Sequence, residues 1–316
     1  MDKLIIVGGP TACGKSAVGI ELAKRLKGSI ISADSMQVYR GMDIGTAKVT
    51  QEEMQGIPHE LVSIIDPWEE WNVVRFKEAA KEAVKKTISL NRIPILVGGT
   101  GFYIQALLYD IDFSRTRENT QYRNELETKL HDEGEKALFH LLVQEDPESA
   151  KVIHPHNVKR VIRALEYKKE TGEKISSHNE RERRRPAAYD AVFFCLTMER
   201  QKLYERIDAR VDKMMQNGLL DEVIALQKNG LTRDDVSMQG LGYRQLLTYL
   251  DGDCTLDDAV QEIKTQTKHF AKRQLTWFRR EKDVLWIHVD DWPSMSSMVD
   301  EMVRIIQSHD KNQEMR

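Results

Sequence analysis

Along the first hundred residues, short unbroken apolar runs alternate with longer stretches in which apolar residues recur every three or four positions. Leu4-Ile5-Ile6-Val7, Ser29 to Ala33 and Pro94-Ile95-Leu96-Val97 read as strands buried on both faces. Ala17 to Leu26 and Val73 to Leu90 carry helical spacing. Strands alternating with helices predict an α/β core with a parallel sheet, whose ligands bind at the carboxyl ends of the strands. The punctuation falls at those ends: Gly8-Gly9-Pro10 after the first run, Asp34 after the second, Gly98-Gly99-Thr100-Gly101 after the third.

From about Ser114 to Asp190 the strand signal gives way to charged amphipathic helices, and Val192 to Leu196 then resumes as a buried strand. The pattern predicts a helical insertion, residues 115–190, inside a core made of residues 1–114 and 191–316. Helices follow from Glu199, with a last apolar run at Val284 to Val289 that suits a strand. The polar tail after Ser308 is expected to fray.

With 41% hydrophobic and 31% charged residues, the 316-residue chain falls in the globular class, which excludes disordered, collagen-like and disulfide-scaffold proteins. No run approaches the roughly 18 apolar residues of a membrane span. The first apolar run is too short for a signal-peptide core, so a cytoplasmic location is expected. Cys13, Cys195 and Cys254 form no CxxC pair, which encodes neither a disulfide framework nor a zinc site. The net charge of −3 conceals an uneven distribution. Residues 151–190 hold eleven Lys and Arg against six Asp and Glu, and residues 262–283 hold seven against three. Such concentrations fit either a polyanion such as RNA or solvated helix faces.

Gly9-Pro10-Thr11-Ala12-Cys13-Gly14-Lys15-Ser16 fits G-x-x-x-x-G-K-[ST] between a predicted strand and a predicted helix, the context of a phosphate-binding loop. Backbone N–H groups would converge on phosphate, Lys15 would add a point charge, and the Ser16 hydroxyl could hold Mg²⁺. A nucleotide hydrolase would also need a second strand ending in a metal-ordering Asp, and here that strand ends in glycines. Asp34 is the acid left at a core strand end, as a base, a metal partner or simply a turn cap. Thr100 offers a hydroxyl in its turn. Arg210 falls within the stripe Leu203, Ile207, Val211 and Met214, where it must meet an anion or snorkel to the edge.

Val158, Val161, Ile162 and Leu165 share one helical face and leave Lys159, Arg160 and Arg163 on another. Lys264, Lys268 and Lys272 recur at i, i+4 and i+8, followed by Arg273 and Trp277-Phe278. Basic faces beside aromatics suit phosphate tracking and base stacking, with core packing the alternative for the aromatics. His154-Pro155-His156 lacks further ligands and reads as a turn.

The phosphate loop, Ser32 to Tyr39, Met42 to Lys48, Gly98 to Tyr103, His154-Pro155-His156-Asn157 with Arg160 and Arg163 to Glu166, Gly242-Tyr243-Arg244 and Ala271-Lys272-Arg273-Gln274 stand in an order that resembles the tRNA dimethylallyltransferase (tRNA isopentenyltransferase) family. The resemblance runs over nearly the whole chain. It implies a phosphate-loop α/β core, Mg²⁺, and transfer of a dimethylallyl group from dimethylallyl diphosphate to N6 of the adenosine just 3′ of the anticodon. By motif, Asp34 would take the N6 proton, Gly9 to Ser16 would bind diphosphate, and Thr100 and Arg210 would assist. Asp34, Ser35, Met36, Gln37, Thr100, Arg123, Val158 to Arg163, Gly242, Tyr243 and Arg244 would contact the tRNA anticodon stem-loop. Cys13 stands where Ser is usual, and Lys268-His269 replaces Arg-Gln, which leaves the carboxyl-terminal RNA contact open. The chain ends without the Cys/His zinc extension of many eukaryotic relatives, which points to a bacterial form, and a monomer is expected. The rivals are a small-molecule kinase, a relative that prenylates free adenylates, which the basic insertion argues against, and a non-catalytic RNA-binding module, which the loop and Asp34 argue against.

Overall fold

The computed structural model describes residues 1–113 and 120–314. Among them, no helix is long and apolar enough to cross a membrane. In chain order the elements are β1 (Lys3–Gly8), α1 (Lys15–Leu26), β2 (Gly28–Ser32), α2 (Gln51–Met54), β3 (His59–Glu60), α3 (Val73–Ser89), β4 (Ile93–Val97) and α4 (Gly101–Leu108). Helices α5 (Thr120–Glu145), α6 (Pro147–Val152), α7 (Val158–Thr171) and α8 (Ile175–Arg183) come next. The chain continues through β5 (Asp190–Thr197), α9 (Arg200–Gln216), α10 (Leu219–Lys228), α11 (Tyr243–Leu250), α12 (Leu256–Phe278), β6 (Val284–His288) and α13 (Met295–Glu314).

Two compact units emerge: residues 1–108 with 188–316, and residues 109–187. In the first unit a wholly parallel sheet has the order β3-β2-β4-β1-β5-β6. Its centre is β1, where Leu4, Ile5, Ile6 and Val7 are fully buried because helices cover both faces. On one face α1 packs Val18, Leu22 and Ala23 with Met298, Val299, Met302 and Ile306 of α13. Gly19 lets α1 approach closely: a Cβ there would lie 2.7 Å from a methyl of Val97.

The expected fraying of the tail is not what the structure shows. Helix α13 runs to Glu314, Asp310 pairs with Lys3, and His309 Nε2 lies 2.7 Å from Asp190 Oδ1. Both partners sit on strands far away in sequence, so the polar tail is held by residues that its own composition cannot report.

The regular elements among the second unit's described residues are helices. Leu126, Leu138, Leu142, Val161, Ile162, Ala164 and Leu165 form its core. Helix α5 is broken at Gly134, whose φ of 81° leaves the helical region. Helix α7 is capped by Asn157 at its start and closes on Gly172, left-handed at φ 72°. The buried Asp146 carboxylate accepts four hydrogen bonds at 2.6–3.2 Å, from the backbone N–H and the hydroxyl of both Ser149 and Ser176. Hydrogen bonds of this kind hold a carboxylate below its ordinary range even against burial, which acts in the opposite sense and is the largest single influence.

Candidate active site

A cavity of about 810 Å³ opens at the carboxyl ends of β1, β2 and β4, within the first unit. Its floor is the loop between β1 and α1. Gly9 (φ 139°) cannot be replaced without collision, since a Cβ would lie 2.6 Å from Leu196 O. Thr11, Ala12, Gly14, Lys15 and Ser16 line the cavity, whereas Gly9, Pro10 and Cys13 do not. The Cys13 side chain is buried in the hydrophobic core, so its share in binding an anion is confined to backbone. Lys15 Nζ donates to Pro10 O at 2.6 Å, curling the lysine over its own loop.

Asp34 faces that floor from the end of β2. Its Oδ1 accepts the N–H groups of Met36 and Gln37 at 2.9 and 3.3 Å, which fixes the turn as a cap would. Its other oxygen has no hydrogen-bond donor among the described residues and is free for a ligand. The turn after β4 is locked to Asp34's neighbour: Ala33 N–H donates to Val97 O, and Thr100 N–H donates to Ala33 O. Gly98 permits this approach, because a Cβ would lie 2.2 Å from Ala33 O. Thr100 lines the same cavity.

Arg210 reaches the loop rather than snorkelling away. Its Nη1 donates to Thr11 Oγ1 at 3.3 Å, and it lies within electrostatic reach of Asp34. Burial pushes its guanidinium below the ordinary value, while Asp34 and Cys13 act the other way; an arginine stays cationic through such a shift. Ile207, Val211 and Met214 of α9, Leu219 of α10, and Ile263 and Phe270 of α12 supply an apolar wall.

Three residues that shape the site were given no role from the sequence. Arg206, one helical turn before Arg210, brings Nη2 to 4.0 Å from a Cβ placed on Gly14; the i−4 spacing from Arg210 could have revealed it. Glu222 accepts the N–H groups of Asp43, Ile44 and Gly45 at 2.7–3.0 Å and the Tyr243 hydroxyl at 2.7 Å. It thereby joins the 43–47 wall to Gly242-Tyr243-Arg244, while Gln37 Nε2 donates to Thr46 O and Ala47 O from the other side. Tyr243 is itself buried, and burial and then Glu222 push its hydroxyl well above the usual range, so it props the wall while Arg244 stays exposed. Gln274 is the third.

The basic face expected on α12 is largely neutralised. Lys264 pairs with Asp212 at 2.6 Å and Lys268 with Asp208 at 2.7 Å, both acids on α9. Lys272 and Arg273 remain exposed, and Arg273 lines the cavity. Phe278 is fully buried, as core packing requires.

In the second unit, Lys159 and Arg160 are exposed and Arg163 is half-buried, and none has an ion-pair partner among the described residues. The side chains of Val161 and Ile162 are buried in the core, and that of Val158 is half-buried. Arg123 makes a bidentate pair with the buried Glu166, at 2.7 and 3.0 Å. His154 and His156 belong to no cluster able to hold a metal among the described residues.

A glycine-rich loop, a carboxylate, a guanidinium and an apolar wall meet around one cavity of a parallel-sheet α/β protein. Residues 37–281 match the sequence profile of the family described as IPP transferase. A tRNA dimethylallyltransferase of Lachnoclostridium phytofermentans is 54% identical over 306 residues, covering 97% of this chain and 98% of the relative. One from Bacillus cytotoxicus is 47% identical, over 92% and 91%. The crystal structure of a tRNA isopentenylpyrophosphate transferase from Bacillus halodurans superposes with a TM-score of 0.73 at 41% identity, over 99% of this chain and all of that one. A eukaryotic dimethylallyltransferase acting on tRNA gives 0.83 at 30% identity, over 99% and 80%. The chain belongs to the IPP transferase family, and is a transferase.

Proposed function

We propose that the protein transfers a dimethylallyl group from dimethylallyl diphosphate to N6 of the adenosine 3′-adjacent to the anticodon of tRNA, giving N6-isopentenyladenosine. The observation that carries this reading is the meeting, in one cavity, of the free Asp34 oxygen, the cationic pair Lys15 and Arg210, and the apolar wall. The diphosphate sits on the loop and the dimethylallyl tail against Ile207, Val211 and Phe270. N6 attacks the allylic carbon, the carbon–oxygen bond breaks, its electron pair leaves with the diphosphate, and the N6 proton passes to Asp34. Lys15 and Arg210 neutralise the leaving anion, and Thr100 orients the base beside Asp34.

The loop fits a metal that arrives with its diphosphate. Ser16 offers an exposed hydroxyl without a hydrogen-bond partner among the described residues, which suits a Mg²⁺ that keeps waters and phosphate oxygens as its other ligands. When bound, Mg²⁺ supplies charge neutralisation on the diphosphate. The target base must leave its stack to reach Asp34, and Lys159, Arg160 and Arg163 grip the anticodon stem-loop through phosphates. The enzyme acts as a cytoplasmic monomer. Labelled dimethylallyl diphosphate offered in parallel with tRNA, AMP and ATP tests the assignment. Label in tRNA alone supports it; label in AMP or ATP, or none in any acceptor, overturns it.

A further inference from the structure

Gln274 of α12 is buried, and its carboxamide is engaged at both ends. Oε1 accepts the Thr11 N–H at 2.9 Å, and Nε2 donates to Gly99 O at 2.9 Å. Thr11 N–H can only donate and Gly99 C=O can only accept, so the amide has one orientation that satisfies both. The two loops joined in this way carry the reacting groups: the Thr11 hydroxyl accepts from Arg210, and Gly99 precedes Thr100. The fit is close. A Cβ on Gly99 would lie 2.2 Å from Nε2, and one on Gly101 would lie 2.2 Å from the ring of Trp277, one turn further along α12. The helix is thus seated on bare backbone at the end of β4, and the amide spans from there to the end of β1.

We infer that Gln274 is a positioning residue for the leaving-group side of the site. It clamps the phosphate loop to the Thr100 turn, so that Thr11 Oγ1 holds Arg210 where the diphosphate departs. The inference rests on the transfer reaction proposed above and adds the residue that keeps the reaction's two halves in register. It also removes Thr11 N–H from the donors open to phosphate, since that proton already belongs to the amide.

The substitution Gln274→Glu tests this through pH. A neutral carboxyl presents the same acceptor and donor as the amide; an ionised one still accepts from Thr11 but repels both Gly99 O and the diphosphate. Lys15, Asp34 and Arg210 around the loop and Arg273 on α12 are present in both enzymes, so the variant is read as its ratio to wild type at each pH. That ratio, for kcat/KM of dimethylallyl diphosphate, should rise at least tenfold from pH 8 to pH 5.5. Kd for tRNA should stay within twofold of wild type throughout. Gln274→Leu, which removes both bonds, should raise the KM for dimethylallyl diphosphate at least tenfold with no pH dependence in its ratio. A flat ratio for Gln274→Glu, or a loss that appears in tRNA affinity instead, overturns the inference. Should Gln274→Leu fail to fold, the Gln274→Glu ratio decides alone. If wild type transfers dimethylallyl to tRNA and both variants match it, this inference fails while the function stands; if wild type transfers nothing, the function fails first.

Discussion

Replacing Asp34 by Asn separates two jobs that one carboxylate performs. Its Oδ1 holds the turn through the N–H groups of Met36 and Gln37, and the residue lines the cavity with its second oxygen left without a donor among the described residues. Asn keeps an acceptor at the first position and puts an NH₂ at the second, where it cannot take a proton. The turn bonds contribute about 1 kcal/mol each, so Asp34→Asn should cost little stability, whereas Asp34→Ala, which loses both, should cost about 1–3 kcal/mol. Loss of general-base assistance lowers the chemical step by about 10²- to 10⁴-fold, or roughly 2.7 to 5.5 kcal/mol of barrier. Single-turnover transfer from labelled dimethylallyl diphosphate at saturating tRNA reads the chemistry, and thermal unfolding reads the turn. The expected pattern is a slow, stable, tRNA-competent Asn variant. A single-turnover rate within threefold of wild type, or an Asn variant as unstable as the Ala variant, refutes the reasoning.

Arg210→Gln should depress kcat about 10²-fold and leave tRNA affinity within threefold, read from steady-state kinetics alongside a tRNA titration; a change confined to tRNA affinity would move Arg210 to the RNA side. Replacing Lys159, Arg160 and Arg163 together by Gln should weaken tRNA binding and flatten its salt slope by about 0.7 to 0.9 for each phosphate no longer neutralised, with the Kd of pyrophosphate unchanged; an unaltered slope makes this face merely solvated. For Asp146 the folded carboxyl lies below its ordinary value, so its stabilisation is complete above the unfolded value of about 3.9 and is lost as pH falls through the folded value. Asp146→Asn should therefore cost about 1–3 kcal/mol near pH 7 and progressively less as the solution is acidified below about pH 4, measured by denaturant unfolding at both pH values.

Much of the fold was legible because β1, β4 and β5 are continuous apolar runs, which only a sheet covered on both faces can hide. The two residues of β3, half-buried, form a strand through pairing with Ile30 and Ile31 rather than through any pattern of their own. The glycine-rich turn between β1 and α1 was equally readable, since its geometry is local. Gln274 was visible as part of a motif, but its contact was not: its partner Thr11 lies 263 positions away, and no spacing connects them. Nor could α12 announce that Asp208 and Asp212 on another helix would consume Lys268 and Lys264. Within α7 the stripe of Val161 and Ile162 was visible, but the tRNA-contact segment implied by resemblance included these core side chains along with the exposed Lys159 and Arg160. Charges and amides are assigned by their long-range neighbours, whereas apolar runs carry their own instructions.

The most direct measurement is the position of the transferred group. An anticodon stem-loop carrying adenosine immediately 3′ of the anticodon should be incubated with the enzyme, Mg²⁺ and dimethylallyl diphosphate, then digested to nucleosides and mapped by mass spectrometry. The proposed transfer predicts one dimethylallyl group on N6 of that adenosine, and no product from a stem-loop with guanosine there. A group found on another nucleotide, or equal modification of the guanosine stem-loop, would contradict it.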